Sequence, residues 1–397
     1  MDRRGRVTLG LERIEALLSL LGDPHRSLRV AQVVGTNGKG TTAVALAASL
    51  EAGGSPTGAY LSPHVLSFTE RVMPRGEFVS EGRFAAAMGG VMEVADANGV
   101  PASQFELLTA GALRLFADEG LEWAVLEAGL GARYDATSAA APEAIVLTNV
   151  GLDHTEYLGE TVEEISREKL ASVRRGAVLV LGTDDSRVVA AARERCEEAG
   201  ARLVEATPQK EEPLFAVLPP YAARDAWLGL RAAEVFLGRA LTGAQRERVT
   251  RGIAGALPGR FEAHQVGGVP IVVDGGHNPS GIEAALEAVR STYGGRPLGV
   301  VFGALRDKDI GSMLTGLQKE ACVLVLTLPE GERAADPAHL MREHGPRDRG
   351  GRRARVEADV VKAVEGAADE MREAGGVVLV TGSLSTGAPI LRWLREG

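Results

Sequence analysis

The chain has 397 residues, 45% hydrophobic and 24% charged, which is long enough for two buried cores and too apolar for a disordered chain. A net charge of −9 with 4% aromatic residues excludes nucleic-acid binding through a basic face or a base-stacking platform. Two cysteines, Cys196 and Cys322, make neither a disulfide framework nor a cysteine zinc site, and no segment has the length of a membrane span. The N-terminus carries early arginines without an apolar run. The expectation is a soluble, cytoplasmic monomer acting on small molecules, with no nucleic-acid or membrane partner.

Leucine and isoleucine at helical spacing predict a helix from Leu9 to Leu21, stopped by Gly22, Asp23 and Pro24. The short run ahead of Gly35 is expected to hold no separate domain. Next comes VAQVVGTNGKGTTAVALAASL, from Val30 to Leu50. Val30, Val33 and Val34 end a buried strand, Gly35 to Gly40 form a tight turn, and Thr41 to Leu50 form an alanine-rich helix. Strand, glycine loop and helix in this order build a phosphate cradle from converging N–H groups and a helix N-terminus. Gly35, Thr36, Asn37, Gly38, Lys39, Gly40, Thr41 and Thr42 are therefore the candidate ATP-binding residues. Lys39 supplies a full charge, and Thr41 or Thr42 a hydroxyl for a phosphate oxygen or its Mg²⁺. The common pattern GxxxxGK[ST] is not met, because Val33 stands at its first glycine and Gly40 follows Lys39.

SPHVLSFTERVMPRGEFVS, starting at Ser62, reads as a partly ordered loop of the kind that holds a second substrate. A helix is predicted from Gln104 to Asp118, then a strand from Trp123 to Leu126 ending on Glu127. A carboxylate ending an apolar strand beside a phosphate loop is placed for Mg²⁺, the alternative being a simple ion pair with Arg133. Ala144 to Leu147 is the next strand, and His154 beyond its end is a candidate ligand. Val178 to Leu181 is a further strand, Ser186 to Gly200 is helical, and Glu194 to Glu212 reads mostly as solvated surface. A helix from Ala222 to Leu241 closes the first domain.

A boundary falls at Gly255-Ala256-Leu257-Pro258-Gly259, giving domains 1–257 and 258–397. Strands are expected at Val269 to Val273, Leu298 to Phe302, Val323 to Leu326 and Val377 to Val380. Asp274 ends the first of these and precedes His277, Asn278 and Pro279 at a helix start; Asn278 as a helix cap is the structural alternative. Arg260 follows the boundary and is free to meet a phosphate. The fold class is α/β, a P-loop NTPase-like N-terminal domain with a smaller Rossmann-like α/β C-terminal domain. Gly35 to Thr41, Glu127, His154 and Asp274 all follow strand C-termini, the edge at which open α/β sheets bind ligands. This physical reading reaches a two-domain Mg-ATP enzyme.

GTNGKGTT, SPH followed by SFTER, the Phe105-Glu106 pair, EAGLGARYDATS, DH with a downstream EK, PGRFE and DGGHNP together resemble the folylpolyglutamate synthase and dihydrofolate synthase branch of the Mur-type ATP-dependent amide ligases. The resemblance spans nearly the whole chain. It implies that ATP phosphorylates the carboxylate of dihydropteroate or of a folate tail, and that L-glutamate then displaces phosphate to form an amide. It implies Mg²⁺ at Thr41, Ser62 and Glu127, and a second Mg²⁺ at His154 with a carbamylated Lys169, with K⁺ as a further candidate. Arg260, Asp274, His277 and Asn278 would bind the nucleotide, Phe105, Arg71 and Asp135 the folate, and Ser383 glutamate. Lys39, Glu127, His154 and Lys169 are the catalytic candidates. Ala128, Ala132, Tyr134 and Ser138 depart from the branch's usual EVGLGGRLDATN. The alternatives are a related ligase for another carboxylic acid, a P-loop kinase and a non-catalytic nucleotide-binding regulator.

Overall fold

The structure is a computed structural model and describes residues 10–207, 213–253, 257–345 and 353–396. The chain divides into two units, Met1–Leu218 with Ala222–Ala256 and Pro219–Tyr221 with Leu257–Gly397. Of the boundary segment, Gly255 and Ala256 lie outside the described residues.

The first unit runs α1 (Glu12–Leu20), β1 (Arg29–Val34), α2 (Lys39–Ala52), β2 (Thr57–Tyr60), β3 (Val72–Pro74), α3 (Glu81–Ala97), α4 (Gln104–Asp118) and β4 (Trp123–Glu127). It continues through β5 (Ala144–Leu147), α5 (Thr155–Leu158), α6 (Val162–Lys169), β6 (Val178–Leu181), α7 (Ser186–Ala199), β7 (Arg202–Glu205), α8 (Pro220–Leu237) and α9 (Gly243–Ile253). Its seven strands lie in the order β3-β2-β4-β1-β5-β6-β7, parallel except for β3, which pairs antiparallel with β2. A parallel sheet covered on both faces needs strands apolar throughout. β1, β4 and β5 meet that need, being buried along almost their whole length. The phosphate-loop helix begins at Lys39, two residues ahead of the expected start, and is buried on most of its surface.

The second unit contains β8 (Glu262–Val266), β9 (Val269–Val273), α10 (Pro279–Tyr293), β10 (Leu298–Phe302), α11 (Ile310–Glu320), β11 (Ala321–Leu326), α12 (Pro337–His344), β12 (Arg353–Val356), α13 (Val360–Ala374), β13 (Val377–Thr381) and α14 (Leu384–Glu396). Its six strands lie in the order β12-β11-β10-β13-β9-β8, with β8 antiparallel on the edge.

The structure corrects the sequence reading in several places. α3 is a full helix that went unread, because its alanines and the Gly89-Gly90 pair dilute the apolar spacing of Phe84, Met88, Val91 and Ala95. The stretch after Glu194 is mostly solvated as expected, but it includes an edge strand that went unread, β7, paired with β6; residues 208–212 lie outside the described residues. α8 stops at Leu237 rather than Leu241. α1 is shorter than the Leu9 to Leu21 expectation, and Leu9 lies outside the described residues.

Candidate active site

β1 lies between β4 and β5, and the pairings Val33 with Glu127 and Val34 with Leu147 bring three strand tips side by side. The glycine loop leaves the middle tip, Glu127 ends one neighbour, and Thr148-Asn149 follow the other. The loop is tied to this last segment. Thr36 N donates to Asn149 O (2.9 Å) and Asn37 N to Asn149 Oδ1 (3.1 Å). In return Asn149 Nδ2 and Thr148 Oγ1 donate to Asn37 O at 3.1 and 2.7 Å. Two glycines make this closeness feasible. Gly35 (φ +151°) and Gly38 (φ +80°) adopt conformations that side chains rarely allow, and a Cβ on them would fall 1.9 Å from Thr148 Oγ1 and 2.3 Å from Asp225 Oδ1.

Thr148, Asn149 and Asp225 were not singled out from the sequence. A Thr-Asn pair directly after an apolar strand was a usable signal for the first two. Asp225 is one acid in a helix, and nothing near it in the chain announces that it faces a loop nearly two hundred residues away.

Lys39 opens α2 and turns its amine back onto the loop, donating to the carbonyls of Gly35 (3.2 Å) and Thr36 (3.0 Å). Lys169, in the last turn of α6, reaches the same Gly35 carbonyl at 2.8 Å. It is only 4% exposed, and burial, followed by the nearby charge of Lys39, pulls its amine from 10.5 to about 7. Thr41 and Thr42 are buried in the first turn of α2, and Thr42 Oγ1 donates to Asp225 O (3.2 Å).

Glu127 is 4% exposed and accepts Ser62 N at 2.8 Å on Oε2. Gly40 faces this carboxylate, a Cβ there lying 3.4 Å from Oε2. Arg133 is not its partner; it pairs with Glu168 at 2.9 Å. The loop after Ser62 is more ordered than the sequence suggested, because Glu70 accepts the N–H groups of Val65, Leu66 and Ser67 and completes a capping box. Arg71 donates through Nη1 to Ser62 Oγ (3.3 Å) and through Nε to His64 Nδ1 (2.8 Å). Burial and the Arg71 charge lower His64 to about 4, so its ring is neutral with the proton on Nε2.

His154 is the left-handed residue (φ +52°) that starts α5, with Nε2 4.0 Å from Asp153 Oδ1. Phe105 sits in the first turn of α4, its ring 5.9 Å from that of Tyr60. Asp135 is buried and fully used by its own turn: Oδ2 accepts Gly129 N and Leu130 N (2.9 and 3.0 Å), and Oδ1 accepts Thr137 N and Oγ1 (3.0 and 2.5 Å). Its carboxylate thereby shapes the 129–137 turn.

In the second unit Asp274 follows β9. Oδ1 accepts Gly276 N (2.9 Å), and Oδ2 accepts Phe261 N (3.1 Å) and the Tyr221 hydroxyl. His277 Nδ1 lies 3.0 Å from Gly275 O. Asn278 is the N-cap of α10, accepting Gly281 N at 2.8 Å, as its structural alternative had it. Ser383 follows β13 and caps the start of α14, accepting Thr386 N at 3.2 Å. A Cβ added to Gly275 would lie 3.4 Å from Arg260 Nη1, so Arg260 joins Asp274, His277 and Asn278 around the end of β9. Among the described residues no three His, Cys, Asp or Glu side chains converge as a metal cage, and no helix is long and apolar enough to cross a membrane.

A parallel sheet with a glycine loop on its central strand, two lysines bonded to that loop and a buried glutamate on the adjoining tip defines a phosphate-loop α/β protein. The chain matches the Mur ligase middle domain over residues 33–214 and the Mur ligase glutamate ligase domain over residues 259–384. It is 32% identical to the dihydrofolate synthase/folylpolyglutamate synthase of Escherichia coli, an alignment covering 85% of this chain and 82% of that one. It is 36% identical to a probable bifunctional folylpolyglutamate synthase/dihydropteroate synthase of Haloferax volcanii over 85% of its own length. The chain spans about half the length of that relative, 43%. Among solved structures, Mycobacterium tuberculosis folylpolyglutamate synthase complexed with ADP superposes with a TM-score of 0.90 at 27% identity, over 99% of this chain and 96% of that one. The chain belongs to the folylpolyglutamate synthase/dihydrofolate synthase family of Mur ligases.

Proposed function

We propose that this protein joins L-glutamate to a pteroyl acid, dihydropteroate or the γ-glutamyl tail of a folate, at the expense of ATP. The observation that carries the reading is the meeting of Lys39, Lys169 and Glu127 at adjoining strand tips, in a chain whose relatives are named for this ligation. Residues 1–257 are assigned to ATP and the acid, and residues 258–397 to glutamate ligation.

The reaction needs a carboxylate to approach a polyphosphate, which like charges oppose. An oxygen of the substrate carboxylate attacks the γ-phosphorus, the bond to the β-phosphate oxygen breaks, and ADP leaves. The amine of glutamate then attacks the acyl carbon, the amide forms, and phosphate departs with a proton lost from nitrogen. The N–H groups of Gly35 to Thr42 hold phosphate oxygens, and Lys39 turns from the loop carbonyls onto the β- and γ-phosphates. Arg260, Asp274, His277 and Asn278 are assigned to the nucleotide and Ser383 to glutamate. Arg71, with Phe105 and the turn held by Asp135, is assigned to the acid.

Thr41, Ser62 and Glu127 fit Mg²⁺, since a buried carboxylate with hydroxyl oxygens and no soft-ligand cage is the sparse oxygen set that ion takes alongside phosphates. His154 is assigned to a second Mg²⁺ with Lys169, which fits as a carbamate, because Mg²⁺ favours oxygen ligands and an unmodified lysine offers none. With an amine lowered to about 7, much of Lys169 is neutral near pH 7. Its nitrogen lone pair is then available to bond to the carbon of CO₂, with a proton released. Bound Mg²⁺ would supply positive charge that offsets the phosphate oxygens. K⁺, a monomeric state and a cytoplasmic location remain part of this reading.

The test is ADP release by the purified protein with Mg-ATP and glutamate, comparing 7,8-dihydropteroate with tetrahydrofolate, with product masses read in parallel. Glutamate-dependent turnover of either acid, with a product one glutamyl residue heavier, is expected. ADP release that ignores glutamate and leaves both acids unchanged would sink the reading.

A further inference from the structure

Arg13, partly exposed, and Glu106, buried, form an ion pair that the reaction does not use. Arg13 Nε donates to Glu106 Oε2 at 3.2 Å, and Nη2 lies 3.0 Å from Oε1, a two-point fork between α1 and the first turn of α4. Glu106 is 4% exposed and also accepts Ser103 N at 2.7 Å, closing the capping box that begins α4. The next residue back is Phe105, whose ring runs up against the turn that Asp135 holds. A Cβ added to Gly129 would lie 2.9 Å from Phe105 Cζ, so ring and turn are already in contact. The Thr109 hydroxyl donates to Phe105 O at 2.8 Å, fixing the backbone from the following turn.

An ion pair at this depth is an expensive way to hold two helices together. Desolvation cancels most of the attraction, and an apolar pair of similar volume holds such helices at least as well. What the fork supplies and an apolar pair does not is a defined rotation and height of α4's first turn, because the planar guanidinium meets the carboxylate in one geometry. Glu106 is adjacent to Phe105, so that geometry reaches the ring through the backbone of the turn they share.

We propose that Arg13 and Glu106 are positioning residues that seat the Phe105 ring against the Gly129 turn as a fixed wall for the flat pteridine of the acid substrate. The inference rests on the reading of Phe105 as part of the acid site. The pair therefore sets affinity for the acid and leaves the handling of ATP and glutamate alone.

The test measures KM for dihydropteroate, ATP and glutamate, together with thermal stability, in Phe105→Ala, Arg13→Lys, Arg13→Met and the charge-free double variant Arg13→Met/Glu106→Met. The double variant avoids the unpaired buried carboxylate that Arg13→Met leaves behind. The expected result is a KM for dihydropteroate raised about tenfold in the double variant and in Phe105→Ala, with KM for ATP within about twofold of the parent. Arg13→Lys, which keeps the charge and loses the fork, should fall between. A double variant that keeps its melting temperature and its KM for dihydropteroate, while Phe105→Ala loses affinity, overturns the positioning role and leaves the acid site standing. An unchanged KM for dihydropteroate in Phe105→Ala overturns both.

Discussion

At the tips of the first sheet charged side chains are gathered closely. The amines of Lys39 and Lys169 point at one carbonyl, that of Gly35, and Glu127 is buried on the adjoining strand. At the tips of the second sheet the polar groups are quieter. Asp274 is satisfied by Gly276 N, Phe261 N and the Tyr221 hydroxyl, while Asn278 and Ser383 cap helices. Both sheets are parallel with one antiparallel edge strand, so the contrast does not come from topology. It comes from which side chains are placed at the same structural position. Charges gathered at one sheet edge mark groups that meet a ligand's charge, whereas caps mark groups that hold loops in shape for a ligand to meet.

The largest expected effect of breaking this contrast is at Lys39. Lys39→Met removes the cation at the head of α2 and should lower kcat/KM for ATP on the order of 10³-fold. A modest fall in melting temperature is expected as well: Gly35 O keeps its bond from Lys169, whereas Thr36 O, in a buried residue, loses its lysine donor. A loss below tenfold in steady-state ADP release would show that the loop amides carry the phosphate unaided.

Next in size is the pH dependence that Lys169 imposes. Its amine is lowered to about 7 in the folded protein against 10.5 for an ordinary lysine. Between these values the unfolded chain binds the extra proton and the folded one does not, so folded stability rises with pH across that window. Below about 7 both states are protonated, and the cost of the buried charge is fully present. In CO₂-free, metal-free buffer, Lys169→Met should therefore be more stable than the parent at pH 6, on the order of 2 kcal/mol. The gap should close as pH rises toward 10. Urea melts across this range check it, and a gap that widens with pH would mean that Lys169 is held as a paired cation.

The strand tips were legible because each one is announced locally. Apolar runs such as VAQVV and WAVL end on glycine or on an acid, and a chain cannot bury such a run without bringing the next residues out at the sheet edge. The partners of the phosphate loop were less legible. Asn149 and Asp225 act on Asn37 and Gly38 across more than a hundred residues, and no local pattern encodes which loop a distant side chain will meet. The pairing of Arg133 with Glu168 rather than Glu127 failed to show for the same reason. α3 was obscured by composition, since alanines and paired glycines carry little hydrophobic contrast. The edge strand β3 is only three residues long, and β7 and β8 are partly polar, so they are recognisable only once the neighbouring strand is known.

The smallest effect is expected where the second sheet holds its polar groups in caps. Ser383→Ala removes the oxygen that accepts Thr386 N at the head of α14, a change that typically costs about 1 kcal/mol of stability. The Thr386 hydroxyl still donates to Gly303 O at 2.6 Å, so the helix start remains tied to the β10 tip and the loss should stay near the lower end. If Ser383 only shapes the loop, the variant melts slightly earlier and keeps its KM for glutamate. If Ser383 also meets the glutamate carboxylate, KM for glutamate should rise about tenfold while KM for ATP stays put, since one hydrogen bond to a charged group is worth about 1.5–3 kcal/mol. A fall in kcat approaching that of Lys39→Met would erase the contrast between the two sheets, because a capping hydroxyl would then be handling charge as the first sheet's lysine does.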